Sequence, residues 1–287
     1  MATFATSDQL LVVIDPAARS TDGESVRIAK DVLSAGAATK VCLPDGPEEF
    51  ARALRRRGSR RPVVVGDDHA LIRAVSLLHR QRELSGCALS VVPVGGAHAL
   101  ATTLGVPTGA VAAARAVLDG VERRMDLLVD DSDGVVLAAL GIPPLPVRET
   151  QPAEPVTVAA PGRPWLRSTY QSLVRTLAAR PSRLATTVPA PGPARLRVEV
   201  DGVTLVDLDQ PVEGVSVTPG SAGLAEVEVR PAPLANTDSP LLRATGRTVT
   251  VTGADFRYRA DAAVSGPVRR RTWRLVEGAW GLTVPSP

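Results

Sequence analysis

The sequence predicts an α/β fold: a parallel-sheet domain in the N-terminal half, followed by an antiparallel β-sandwich in the C-terminal half. Three observations predict it. Up to Asp119, short and continuously apolar runs alternate with amphipathic stretches, the pattern of strands buried on both faces and covered by crossover helices. Beyond Pro181 the apolar period drops to two, as in half-buried antiparallel strands. Between the two patterns lies a proline-rich stretch, Ile142 to Pro164, with the composition of a linker.

Each element has a local cause. Leu10 to Ile14 is a strand ended by Asp15-Pro16. Asp22 to Ala35 is a helix with Val26, Ala29, Val32 and Leu33 on one face, and Lys40 to Leu43 is a short strand. Pro47 to Arg57 is a helix: proline suits the first helical turn, and Glu48 and Glu49 meet the positive end of the helix dipole. Strand Pro62 to Val65 enters the turn Gly66-Asp67-Asp68-His69, and Ala70 to Arg80 is helical. Leu89 to Val94 is a strand ending in Gly95-Gly96. His98 to Leu104 is a short helix stopped by Gly105-Val106-Pro107, and Ala110 to Asp119 is a further helix. Alternation of this kind makes a mostly parallel sheet with helices on both faces.

In the second half, an amphipathic helix carries Leu166, Tyr170, Leu173, Val174 and Leu177 on a common face. Period-two runs follow at Leu196-Val198-Val200, Val215-Val217, Val227-Val229 and Val249-Val251, separated by turns such as Asp201-Gly202 and Pro219-Gly220. The expected division is residues 1–142 as the α/β domain, 143–164 as the linker, and 165–287 as the helix with the antiparallel domain.

Composition bounds the chemistry. Hydrophobic residues make up 44% and charged residues 22% of the 287 positions, a globular balance. Aromatics reach only 3%, so the core must rest on Val, Leu and Ala, with Trp165, Trp273 and Trp280 as packing residues. The net charge is +3, and lysine occurs only at Lys30 and Lys40, so a catalytic lysine has almost no candidates. Arginine clusters at Arg55-Arg56-Arg57, Arg60-Arg61, Arg123-Arg124 and Arg269-Arg270-Arg271 read as solvated faces balanced by acids. No basic run is interleaved with aromatics, which argues against nucleic acid as a partner and leaves a lipid or membrane surface, or a protein. Cys42 and Cys87 form no metal-spaced pair and are expected as buried thiols of a reducing compartment. The first residues lack the basic region of a signal peptide, so the expected location is cytoplasmic, with peripheral membrane contact.

The turn after the third strand carries the central question. A strand–turn–helix junction in an α/β protein commonly cradles a phosphate on backbone N–H groups, and glycines permit the approach. Here the turn holds one glycine, two carboxylates and an imidazole.

Several short motifs, in order, make the chain resemble the diacylglycerol kinase catalytic-domain family of bacterial lipid kinases, which includes sphingosine-kinase-like enzymes and shares its fold with NAD kinases. Ile14-Asp15-Pro16 resembles the family's strand closed by Asn-Pro. Gly66-Asp67-Asp68-His69-Ala70 falls on its Gly-Gly-Asp-Gly-Thr, and Pro93-Val94-Gly95-Gly96-Ala97-His98-Ala99 on its Pro-x-Gly-Thr-Gly-Asn-Asp. Leu104-Gly105-Val106-Pro107 and Arg124-Met125-Asp126-Leu127 look like Leu-Gly-Ile-Pro and Arg-x-Asp-Leu, and Trp273 to Pro285 looks like the closing strand pair.

The resemblance implies ATP-dependent phosphorylation of a lipid hydroxyl with ATP and Mg2+ as cofactors. It places nucleotide contacts at Gly66, Asp67, Asp68, His69, Gly95, Gly96 and His98. The cleft between the two domains, lined by the loops at Gly66 and Gly95, is expected to be the main concavity. The family's general base lies in a late Asp-Gly-Glu, for which Asp261-Ala262-Ala263 is the positional match, so Asp261 and Asp68 are the catalytic candidates if the protein is active. Asp201-Gly202 resembles that motif only in letters and is expected to be a hairpin turn. The family's Asp-Gly-Leu-Leu-Asp-Val appears as Ala222-Gly223-Leu224-Ala225-Glu226-Val227, without its first acid, and Arg73 stands where the family commonly has a helix glutamate.

Three separate parts of one reaction are thus altered, and phosphoryl transfer needs both a bridged phosphate and a positioned base. The expectation is a weak or inactive pseudokinase acting in binding or regulation. The alternative is an active ATP-dependent lipid kinase with altered loops, using Asp68 with Asp261 or Asp255. A minor alternative is a His/Asp metal site from His69, His98, Asp67 and Asp68. His79 is expected at the surface or its boundary.

Overall fold

The computed structural model describes residues 9–143, 192–220, 222–233 and 240–286. The predicted helix at Leu166–Leu177, Trp165 and nearly all of the proline-rich stretch lie outside them.

In the N-terminal part, β1 (Gln9–Ile14) is followed by α1 (Pro16–Thr21) and α2 (Gly23–Gly36), then β2 (Ala38–Cys42) and α3 (Pro47–Arg55). Next come β3 (Arg61–Gly66), α4 (Asp68–Arg80), β4 (Ala88–Pro93), α5 (Ala99–Thr103) and α6 (Ala110–Asp119). The four strands lie in the order β2-β1-β3-β4, all parallel. Their apolar runs are continuous because each strand feeds two cores. On β1, Leu11 and Val13 face the core of α3, α4 and α5, whereas Leu10, Val12 and Ile14 face that of α2 and α6. β3 divides likewise, Val64 to one side and Val63 and Val65 to the other. One helix more than expected forms after β1: the Asp15 carboxylate caps α1, and Asp22, which ends α1, caps α2 through the Ser25 N–H at 3.0 Å.

The second part is antiparallel. It contains β5 (Val121–Asp130), β6 (Val135–Val136), β7 (Leu140–Ile142), β8 (Ala194–Val200) and β9 (Val203–Val206). It continues with β10 (Pro211–Pro219), β11 (Ala225–Pro231), β12 (Leu242–Gly246), β13 (Thr248–Ala260) and β14 (Ala263–Val284). The predicted alternating residues Val198, Val200, Val215, Val217, Val227, Val229, Val249 and Val251 all enter its core. Trp273 packs there edge-on against Tyr258, with ring centroids 5.2 Å apart. Asp201 and Gly202, at φ +49° and +82°, form the predicted two-residue hairpin turn between β8 and β9.

The expected closing strand pair is instead one 22-residue strand, β14. It pairs with β13 and with β5, and its end runs parallel to β4. Its register shifts between Val276 and Trp280, where Gly278 takes φ +52°. Before this bulge Trp273 and Leu275 pack in the β core, and after it Trp280, Leu282 and Val284 pack against the parallel sheet. One strand therefore serves two cores because a glycine bulge re-aims its faces.

Candidate functional site

The strand order β2-β1-β3-β4 reverses direction at β1, so the crevice beyond the C-terminal ends of β1 and β3 is a topological switch point, where α/β sheets bind ligands. Asp15 follows β1 and Gly66 closes β3, and the Asp15 N–H donates to the Val65 carbonyl at 2.9 Å. Gly66 has no room for a side chain: a Cβ there would lie 2.6 Å from the Ala70 Cβ and 3.1 Å from the Asp15 Cβ.

Asp67 is the N-cap of α4, with extended backbone, and its Oδ1 accepts from the Ala70 N–H at 3.0 Å. Its carbonyl accepts from Leu71 N–H at 3.1 Å, and the Asp68 N–H donates to the Ala97 carbonyl at 2.9 Å. The Asp68 and Ala70 N–H groups are among the donors a phosphate cradle at this helix start would present, and both already have acceptors within the protein. Asp68 is only 3% exposed, and its carboxylate accepts from Leu100 N–H at 2.9 Å and Ala101 N–H at 3.1 Å. It thereby caps α5 from the neighbouring loop, since His98, the residue at the N-cap itself, makes no side-chain cap bond.

Asp15 and Arg73 are joined. Asp15 accepts from Ala17 N–H at 2.9 Å and from Arg73 Nη1 at 2.6 Å, with the Asp15 side chain 6% exposed and that of Arg73 36% exposed. The guanidinium also lies 5.5 Å from the centre of the Phe50 ring. The two departures from the family letters, an acid for asparagine and an arginine for glutamate, are halves of one ion pair. That compensation was the signal available in the sequence.

Asp261 lies at the two-residue turn between β13 and β14 with φ +49°. Its carboxylate accepts from Leu137 N–H at 2.7 Å, Ala138 N–H at 2.8 Å and Ala139 N–H at 3.0 Å. Burial pushes this carboxyl above the usual carboxylate range, against the three hydrogen bonds that favour its charge, and the negative charge of Asp68 adds to the rise. The two catalytic candidates therefore lie within reach of each other's field, each bound to backbone N–H groups. Asp255 is different: it is exposed and ion-paired with Arg269 at 3.0 Å.

The Arg-x-Asp-Leu segment has a structural role that its letters did not show. Asp126 accepts from Gly278 N–H at 2.7 Å, and Arg124 donates to the Gly278 carbonyl at 2.5 Å. Together they hold the β14 bulge from both sides. A cavity of ≈320 Å³ lies here, lined by Leu104, Arg124, Asp126, Leu137, Ala138 and Ala222 among others. It gathers the Leu-Gly-Val-Pro, Arg-Met-Asp-Leu and Ala-Gly-Leu-Ala segments in one place.

The remaining candidates are more dispersed. His69 is exposed on the first turn of α4, and Gly96 is exposed with open space around it. Gly95 takes φ +113°, and a Cβ on it would lie 3.8 Å from that of Asp67. His98 is half-buried, with Nε2 buried and without a hydrogen-bond partner, and His79 is half-buried on α4. Among the described residues no group of three or more His, Cys, Asp or Glu side chains is arranged to hold a metal ion, which removes the geometric basis of the His/Asp metal alternative. Cys42 and Cys87 are free thiols, half-buried rather than fully buried as expected. Trp273 and Trp280 are fully buried, as packing residues should be.

Cavities of ≈450, ≈320 and ≈290 Å³ lie elsewhere, none of them lined by Gly66–His69 or Gly95–His98. Asp68 draws these two loops together. A nucleotide phosphate does not fit the Ala70, Leu100 and Ala101 N–H groups as they stand, because it must displace Asp67 or Asp68 from them. Beside an unpaired carboxylate it also meets a repulsion of roughly 1–4 kcal/mol at about 4 Å, between the dielectrics of water and of the protein surface.

Residues 9–129 match the family model described as the diacylglycerol kinase catalytic domain. Among solved structures, a diacylglycerol kinase from Bacillus anthracis is similar at 12% identity and a TM-score of 0.66, with 96% of this chain and 97% of that chain covered. A structure of a "putative diacylglycerol kinase" from the same organism is similar at 14% identity and a TM-score of 0.69, with 98% of each chain covered. No curated protein matches the sequence.

Proposed function

With residues 9–129 placed in the diacylglycerol kinase catalytic-domain family, we propose that this protein is a pseudokinase, weak or inactive in phosphoryl transfer, whose lipid-kinase scaffold serves binding or regulation. One observation carries the reading: at the starts of α4 and α5 the Ala70, Leu100 and Ala101 N–H groups are already bonded to the carboxylates of Asp67 and Asp68. The two acids act as internal substitutes for phosphate oxygens. Family kinases use ATP with a divalent metal, but the loop residues of this chain do not fit a phosphate and leave that chemistry without a seat. The scaffold's partner, on this reading, is a lipid or membrane surface or another protein.

Isothermal titration of the protein with Mg-ATP is the test. No saturable heat up to millimolar nucleotide is expected; micromolar, magnesium-dependent binding would overturn the reading. The active alternative draws on Asp261, whose raised pKa suits a proton acceptor. Labelled phosphate transferred from ATP to extracted lipid, and lost in Asp261→Asn, would establish it.

A further inference from the structure

The cavity of ≈450 Å³ lies at the opposite end of the parallel sheet from the loops just described. Arg61 begins β3 and Ala88 begins β4, and both line it, with Arg57, Arg60, Cys87, Glu122 and several glycines. Its charges do not cancel. Arg57 is paired with Glu83, and Glu122 with Arg124. Arg60 donates only to the Arg57 carbonyl, at 3.3 Å, and neither Arg60 nor Arg61 forms an ion pair among the described residues. The Arg61 Nε is buried without an acceptor. A buried guanidinium N–H is costly to leave unpaired, so its orphan state points to an acceptor from outside the chain.

We infer that this cavity binds a small phosphate-bearing anion on Arg60 and Arg61. Two unpaired guanidinium groups match the charge of a phosphate dianion, and their planar forks suit its oxygens. The volume falls within the range of about 300–1,000 Å³ typical of small-molecule sites and exceeds the needs of inorganic phosphate alone. Gly58 and Gly86 at the wall, where a Cβ would meet nothing within 4 Å, leave room for the organic part. This site is independent of the proposed loss of kinase activity, since it shares none of its residues.

Cys87 lines the cavity and supplies a reporter, whereas Cys42 lines a different one. The full chain is alkylated with N-ethylmaleimide at alkaline pH, because burial pushes the Cys87 thiol up. Site-resolved rates are read by mass spectrometry with inorganic phosphate, with glycerol phosphate, and with chloride at matched ionic strength. Phosphate-bearing anions are expected to slow Cys87 and leave Cys42 unchanged. Stronger protection by glycerol phosphate marks a phosphomonoester as the ligand, and stronger protection by inorganic phosphate marks the free ion. Arg60→Gln and Arg61→Gln should each weaken the protection by about tenfold in anion concentration, the scale of a lost charge-assisted hydrogen bond. Arg60→Gln, outside the strand, covers the case in which Arg61→Gln fails to fold. Unchanged Cys87 rates, equal slowing of Cys42, or full protection in the folded variants would overturn the inference.

Discussion

The two ends of the parallel sheet carry opposite chemistry. At the C-terminal end, where α/β folds usually bind ligands, Asp15, Asp67 and Asp68 are bonded to backbone N–H groups and to Arg73. At the N-terminal end, Arg60 and Arg61 border an open cavity with no carboxylate paired to them among the described residues. Topology makes the first end the natural site, but the side chains decide whether its donors are free. A retained family aspartate is therefore not evidence of retained catalysis: Asp68 is explained by the helix it caps and Asp126 by the bulge it holds.

The largest test of this contrast is Asp68→Ala. If the carboxylate is structural, the variant leaves the Leu100 and Ala101 N–H groups without their acceptor in a buried place, and stability in urea unfolding falls by roughly 2–4 kcal/mol. Unchanged stability would break the comparison at its acidic end. Next is the ion pair. Arg73→Glu, which restores the family letter, sets a carboxylate against buried Asp15 and is expected to cost about 2 kcal/mol, a value discounted for the partial exposure of residue 73. Adding Asp15→Asn should recover most of that loss, a coupling read from the double-mutant cycle.

The smallest effect is a pH dependence. The Asp261 pKa is raised in the folded protein, so its contribution to stability is greatest below the unfolded value. That contribution declines as pH rises from the ordinary aspartate range through the raised folded value. Asp130 runs the other way. Burial opposes the shift, but hydrogen bonds from Ser132 and Gly134 and the charge of Arg271 hold its carboxyl low. Its contribution is present above the ordinary value and is lost as pH falls through the folded one. Asparagine tolerates the left-handed backbone at position 261, so Asp261→Asn should flatten the decline above the aspartate range without touching the acid limb. Urea midpoints measured across pH check this, and an unchanged profile would mean that Asp261 does not titrate as described.

Much of the fold was legible because its causes are local. Apolar runs located β1, β3 and β4 within a residue or two, proline and glutamates located the start of α3, and Asp201-Gly202 announced a hairpin. β5 and the single long β14 were not legible as such. On β5 the neighbours Leu127 and Leu128 enter different cores, and along β14 the change of core occurs at a bulge that depends on Asp126 and Arg124 from another strand.

For the candidate site the division is similar. The sequence by itself determined that the phosphate turn holds Asp67, Asp68 and His69 where glycines would allow close approach, because that statement needs only residue types at a strand–helix junction. Only the tertiary structure decided where the acids point: Asp68 onto α5, Asp15 onto Arg73, and Asp261 onto the backbone of Leu137, Ala138 and Ala139. The partners in those bonds stand 32, 58 and more than 120 positions apart in the chain. No local pattern encodes such bonds; they form because folding brings unpaired N–H and guanidinium donors to a carboxylate from which water has been removed.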